Sequence, residues 1–154
     1  MGYLKSGLVA LLVWSLVIVT AYAVEKDPTI SRVPAGQLAA AKAMKNPIAK
    51  TPANIAKGKA IFEGKGTCFT CHGPSGKGDG PAGLALNPSP RNFTNPNFHK
   101  NRTDGEMLWV IKNGSKGPNG TGEQTAMIPL VGTMITENEA WHVILYERSF
   151  EGKK

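Results

Sequence analysis

Cysteine is almost absent from this sequence of 154 residues, which has two, Cys68 and Cys71, three positions apart. So few thiols exclude a disulfide-built scaffold, in which several bridges replace a core. No alternation of apolar and polar residues runs long enough for a strand, and no segment repeats, which removes sheet folds and solenoids. The basic residues form no dense run; Lys57, Lys65, Lys77, Lys100 and Lys116 typify their spread. A nucleic-acid binder concentrates Lys and Arg on one stripe, so nucleic acid is not the expected partner.

Charge is missing altogether from residues 6–24, nineteen positions that follow Lys5 and contain Ala21-Tyr22-Ala23 near their end. A basic start, an apolar run and a small-x-small site describe a secretory signal peptide over residues 1–23, cut after Ala23. The rival reading is a retained anchor, since nineteen helical residues at about 1.5 Å each span about 28 Å, close to one hydrocarbon thickness. Either route delivers the rest of the chain outside the cytoplasm, to a periplasm, with membrane association through residues 6–24 if they are kept. Lys5 is the one charge in residues 1–23, so cleavage leaves 17 basic and 11 acidic side chains, a net of +6. A dispersed positive surface suits an acidic protein partner or an anionic membrane, and it also serves solubility.

Residues 24–50 read as a tether, punctuated by Pro28, Pro34 and Pro47, with a weak Ala-rich helix over 37–45. From residue 51 the signals sharpen. Thr51-Pro52 offers an N-cap followed by Pro at the first helical position, Ile55, Gly58 and Phe62 share a face, and Gly64 is a stop. Thr103 with Glu106 forms a capping box for a second helix, striped by Met107, Leu108 and Ile111 and ended at Asn113-Gly114. Thr136 with Glu139 opens a third, with Trp141, Ile144, Leu145 and Arg148 on one face. Between them lie long Gly- and Pro-rich loops. Residues 51–154 therefore read as one all-α domain of three or more short helices. Loops of this length are uncommon in a compact domain unless something organises them, and three short helices supply a thin core for about 100 residues. The sequence asks for a large apolar object at its centre.

Cys68-Phe69-Thr70-Cys71-His72 supplies one, because C-x-x-C-H is the c-type haem attachment pattern. Two thiols add across the two vinyl groups of one porphyrin edge, and the adjacent imidazole reaches the iron from one face. A structural zinc site needs four ligands where three lie here, with His72 too close to Cys71 for the usual spacing. A thioredoxin-like C-x-x-C needs a βαβ context that this chain lacks.

With that motif in place, residues 51–150 resemble a small class I c-type cytochrome of the bacterial mono-haem type. The resemblance rests on segments in family order: Gly76-Lys77-Gly78-Asp79-Gly80-Pro81-Ala82-Gly83, then Asn87-Pro88-Ser89-Pro90-Arg91-Asn92-Phe93, then Asp104-Gly105-Glu106 with Trp109, then Trp141 with Tyr146-Glu147-Arg148-Ser149. It implies short helices and long loops wrapped around one haem, covalently held through Cys68 and Cys71, with the first and last helices of the domain crossing near Gly58 and Tyr146. By position, Pro81 resembles the proline whose carbonyl accepts a hydrogen bond from the proximal histidine, here His72; the rival reading is that Pro81 only shapes the turn. Pro88, Pro90, Phe93 and Trp109 would pack on the porphyrin or line its pocket. Arg91 would pair with a haem propionate or stay solvated.

The candidates for sixth ligand are Met107, Met127, Met134, His99 and His142. Met107 and His142 sit on helical faces, and His99 in a polar loop. The family places its methionine in the loop before the last helix, where Met127 and Met134 both fall. The resemblance favours Met127, with Met134 as an apolar anchor ahead of Thr136. The chain departs from the pattern at Ile128, which stands between Met127 and Pro129. The metal would then be held by His72 and Met127, with no coordination site left for a substrate. The expected role is that of a monomeric one-electron carrier in a respiratory chain, not an enzyme, passing electrons between acidic donor and acceptor proteins. The exposed porphyrin edge would lie near Phe69, Thr70, Ile128 and Leu130. The alternatives are a haem subunit of a membrane respiratory or dehydrogenase complex, and a peroxidase-like or gas-binding haem enzyme with a labile sixth ligand.

Overall fold

A computed structural model describes residues 27–153. The signal-peptide and anchor readings concern residues that lie outside these. The described chain is all-α, with helices α1 (Ala35–Ala43), α2 (Pro52–Glu63), α3 (Phe69–His72), α4 (Pro96–Asn101), α5 (Asp104–Asn113) and α6 (Glu137–Arg148), and a 3-10 turn at Pro118–Gly120. Among the described residues the one β feature is an isolated bridge between Val131 and Ile135. No described helix is long and apolar enough to cross a membrane.

The three helices expected from the sequence begin and end on their signals. Thr51 caps α2 by accepting from the Asn54 amide, and Gly64 closes it. Thr103 with Glu106 and Thr136 with Glu139 make complete, reciprocal capping boxes on α5 and α6. Each box satisfies two amides that a helix start leaves without partners.

Helices α2 and α6 cross where the sequence placed the small residue. A Cβ at Gly58 would overlap the His142 carbonyl oxygen and lie 3.1 Å from Tyr146 Cβ. Bare backbone at that point lets Phe62, fully buried, meet Tyr146 edge-on with ring centroids 5.3 Å apart. Phe150 closes the same aromatic group, 4.8 Å from Tyr146. Leu108, Ile111, Ile135 and Ile144 continue the core toward α5.

Residues 27–50 are not the loose tether expected from their prolines. Val33 and Ala41 are buried, and Gly105 of α5 lies against the Ala41 carbonyl. Arg102 donates to the carbonyls of Pro28 at 3.1 Å and Ile30 at 2.7 Å, while Ser31 Oγ donates to Glu106 Oε1 at 2.8 Å. Helix α1 was expected, but its partner was not: Trp109 Nε1 donates to Gln37 Oε1 at 2.5 Å. This segment is a strap bound across α5.

At the same end of α5, Arg148 ties three elements together. Its Nε donates to Asp104 Oδ1 at 2.8 Å, Nη1 to the His99 carbonyl at 3.2 Å and Nη2 to the Arg102 carbonyl at 2.5 Å.

The α2–α6 crossing is testable with one methyl group. Gly58→Ala gains about 1 kcal/mol of helix propensity, yet it forces two backbones apart, and overpacking of this kind costs about 1–3 kcal/mol or more. We expect a net loss in the stability of the folded protein, read as a lower urea midpoint with an unchanged slope. An unchanged midpoint would mean that the helices do not touch at Gly58.

Candidate functional site

The helices and loops surround a cavity of about 510 Å³, a size typical of cofactor sites. One wall is α3, a single helical turn in which the Cys68 carbonyl accepts from the His72 amide at 2.9 Å. Gly73, at φ 71°, ends it by a turn that favours glycine. The following loop wraps its outer side, with the Gly78 amide donating to the His72 carbonyl at 2.9 Å and the Ala82 amide to the Thr70 carbonyl at 3.0 Å. Gly80 fits there because a Cβ would strike the carbonyls of Phe69 and Thr70. The turn thus presents Cys68, Thr70, Cys71 and His72 together to the cavity.

His72 is prepared as a metal ligand. Its Nδ1 lies 3.1 Å from the Arg91 carbonyl oxygen. A carbonyl can only accept, so Nδ1 carries the proton and Nε2 keeps its lone pair. The ring stacks on Phe93, with centroids 4.6 Å apart and planes 23° from parallel, and Phe62 lies at its other neighbouring contact, 6.4 Å away. Burial pushes the imidazole down to about 4, so it is neutral, the ligating form, across physiological pH.

Both cysteines are free thiols. Burial pushes the Cys68 thiol up to about 12. Among the described residues no group of three or more His, Cys, Asp or Glu is placed to hold a metal ion. The pair suits thioether bonds to an apolar group filling the cavity.

The opposite side is built from Met107, Val110 and Ile111 of α5 and from Met127, Ile128, Leu130 and Met134 of the loop before α6. The Met127 backbone is held firmly: its carbonyl accepts from the Ser115 amide at 2.8 Å and from Gln124 Nε2 at 2.6 Å. The histidine candidates for a second ligand are occupied or elsewhere. His99 Nε2 donates to the Phe93 carbonyl at 2.5 Å while its Nδ1 receives Arg148 Nη1 at 3.2 Å. His142 Nδ1 meets the Asn138 carbonyl at 2.9 Å on α6, and its ring is off the cavity wall.

Pro88, Pro90, Arg91 and Phe93 line the cavity as expected residues of the loop after α3, and the Arg91 guanidinium lies 5.3 Å over the Phe98 ring. Three placements differ from expectation. Pro81 is exposed and off the wall, and the acceptor for His72 is the Arg91 carbonyl, because the loop returns to the ring ten residues later. Trp109 points to α1 through its bond to Gln37 and lies off the cavity wall. Leu130, expected at an exposed edge, is 6% exposed and belongs to the core.

The cytochrome c family profile matches residues 55–150. The chain belongs to the cytochrome c family. Membership of that family implies a covalently bound haem c and electron transfer through it. Among solved structures, this cytochrome c is similar to a chain of the Kuenenia stuttgartiensis reducing HAO-like protein complex, with 26% identity and a TM-score of 0.53. The match covers 70% of this cytochrome chain and 49% of that one, so it spans about half the length of its structural relative. No curated protein matches the sequence.

Several cavity residues of this cytochrome escaped the sequence reading, Phe98, Arg102, Arg32 and Glu147 among them. Arg32 comes from the strap, and nothing in Ser31-Arg32-Val33 marks it. Glu147 had a signal: it falls three positions after Ile144 and seven after Ala140, both fully buried, so helical spacing turns it inward. Burial pushes its carboxyl up to about 8, with Arg148 opposing and Asp104 adding to the rise.

That carboxyl gives stability a sign against pH. A group protonated in the fold and ionised in the unfolded chain makes the unfolded state the poorer proton binder, so stability falls as pH rises. The window runs from the ordinary carboxyl value of 4.5 to about 8. Urea midpoints of the wild type should decline across it, and those of Glu147→Gln should lack that slope. Parallel profiles for the two proteins would mean that Glu147 is ionised in the fold.

Proposed function

We propose that this cytochrome c is an extracytoplasmic one-electron carrier with a single haem, attached at Cys68 and Cys71 and ligated by His72 and Met127. One observation carries the reading: a single apolar cavity has the two thiols and a neutral, correctly tautomerised His72 on one wall and methionine on the other. Bound there, haem supplies a reversible one-electron couple. The residues do the rest. His72 presents Nε2, and the Arg91 carbonyl holds the ring's orientation and raises its basicity. Met127 supplies a soft, neutral thioether, which raises the reduction potential relative to a second imidazole. With His72 and Met127 both holding the iron, no position would be left for a substrate, which favours a carrier over an enzyme.

Exposed apolar side chains gather by the cavity, with Phe69 36%, Met134 38% and Ile128 55% accessible. Exposed Lys77 and Lys116 are the candidate rim charges for an acidic donor or acceptor. Such pairings are weak and transient and are steered by charge. Residues 1–23 support export to a periplasm. A second reading, a haem subunit of a larger assembly, draws on the likeness to a chain of a protein complex that is about twice as long.

The cofactor and ligand assignments are tested together. Haem peroxidase staining should stay with the polypeptide on a denaturing gel and vanish when Cys68 and Cys71 are both replaced by Ala. Met127→Ala should abolish the weak long-wavelength sulfur-to-iron absorption of the oxidised protein and open the iron to carbon monoxide. Met134→Ala should keep that band. The reverse pattern in the two methionine variants would move the ligand by seven residues.

Docking is tested by salt. The net charge of +6 for residues 24–154 becomes about +4 once two ionised haem carboxylates are counted. The bimolecular electron-transfer rate with an acidic partner should fall as ionic strength rises to physiological values, where screening acts over about 8 Å. A rate indifferent to salt would assign the lysines to solubility alone.

A further inference from the structure

The strap brings one charged side chain to the cavity and leaves it without a counter-ion. Ser31 is fixed by Glu106 Oε1 at 2.8 Å and by the Asn119 amide, which donates to its carbonyl at 2.7 Å. Val33 is 1% exposed. Between these two anchors Arg32, 9% exposed, lines the cavity. Its Nε is the one buried side-chain nitrogen or oxygen among the described residues with no hydrogen-bond partner.

The surrounding charges do not account for it. Arg102 also lines the cavity, but its guanidinium is matched by Glu106 Oε1 at 2.6 Å. Burial first, and then the Arg102 charge, press the Arg32 pKa downward, and Asp27 opposes them only in part. Glu147, the other acid on the wall, is held largely neutral by burial. A guanidinium keeps its charge at any pH a protein meets, so a buried one with a vacant donor is costly unless an anion meets it. A carboxylate, planar like the guanidinium, is one anion that fits that fork.

We propose that Arg32 holds a propionate carboxylate of the covalently bound haem, which makes the strap, outside the family-matched residues 55–150, part of the cofactor site. This rests on the haem reading above. It assigns to the strap a role beyond packing. A guanidinium on the propionate cancels a negative charge near the iron and holds the carboxyl ionised. Removing it leaves the negative charge uncancelled, which favours ferric iron and lowers the potential. The same change lets the propionate titrate at higher pH.

The experiment is spectroelectrochemical titration of the full-length holoprotein from pH 5 to 8, for wild type, Arg32→Gln, Arg32→Lys and Ser31→Ala. Arg32→Gln should lower the midpoint potential and add a fall in potential with rising pH, centred about one or more units above the propionate's wild-type value. Arg32→Lys should restore most of the potential. Ser31→Ala loosens the strap without removing charge and should lose thermal stability while keeping the wild-type pH profile. Added phosphate at constant ionic strength should leave the wild-type potential unchanged; a phosphate-dependent potential that is lost in Arg32→Gln would assign Arg32 to a solution anion and overturn the proposal. So would superimposable wild-type and Arg32→Gln profiles in proteins that both carry haem. A wild-type protein without covalent haem would overturn the functional reading itself, and the two failures are told apart by the haem stain.

Discussion

Where α2 crosses α6, the Gly58 backbone rests on the His142 carbonyl, and the position of everything that faces the cavity follows from that contact. The close approach sets Phe62 between Tyr146, Phe150 and the His72 ring. Phe62 therefore relays the helix crossing to the proximal ligand. Its other neighbour, Phe93, continues the relay to the loop that supplies the Arg91 carbonyl. A side chain at Gly58 would not touch the cofactor cavity, yet it would move the wall that orients His72.

The cavity is electrically quiet on its inner surface. His72 is neutral because burial lowers its pKa, and Cys68 and Glu147 are protonated because burial raises theirs. Desolvation acts in both directions, and each time it selects the uncharged form. The charges that remain on the wall belong to arginines, which do not deprotonate, and to Glu106. Burial works against the Glu106 carboxylate, but hydrogen bonds from Thr103, Ser31 and Arg102 hold it below the ordinary range.

Much of this was legible in the sequence because it is local. Capping boxes at Thr103 and Thr136, the Thr51-Pro52 start and the C-x-x-C-H turn lie within a few residues of their own effects. The crossing at Gly58 was read from family order, and the structure gives its physical cause. What was missed is non-local. The strap looked like a tether because Pro28, Pro34 and Pro47 interrupt it and its helix is Ala-rich, whereas its attachment rests on Ser31, Arg102 and Glu106, far apart in the chain. Pro81 and Trp109 were placed by position in a pattern; the loop path redirected the first, and the bond to Gln37 of α1 redirected the second. Glu147 could have been caught by helical spacing alone, since an acid in phase with Ala140 and Ile144 must turn inward.

The strap also imposes an order of assembly. The bond from Ser31 to Glu106 closes a separation of 75 residues, and Arg102 reaches back 74 and 72 residues to Pro28 and Ile30. Loop closure of that length costs entropy before any contact repays it, so such contacts form late. Glu106 and Arg102 can receive the strap only after the start of α5 exists. The first described residues to leave a ribosome are thus among the last to dock. Until they do, Arg32 is missing from the cavity wall.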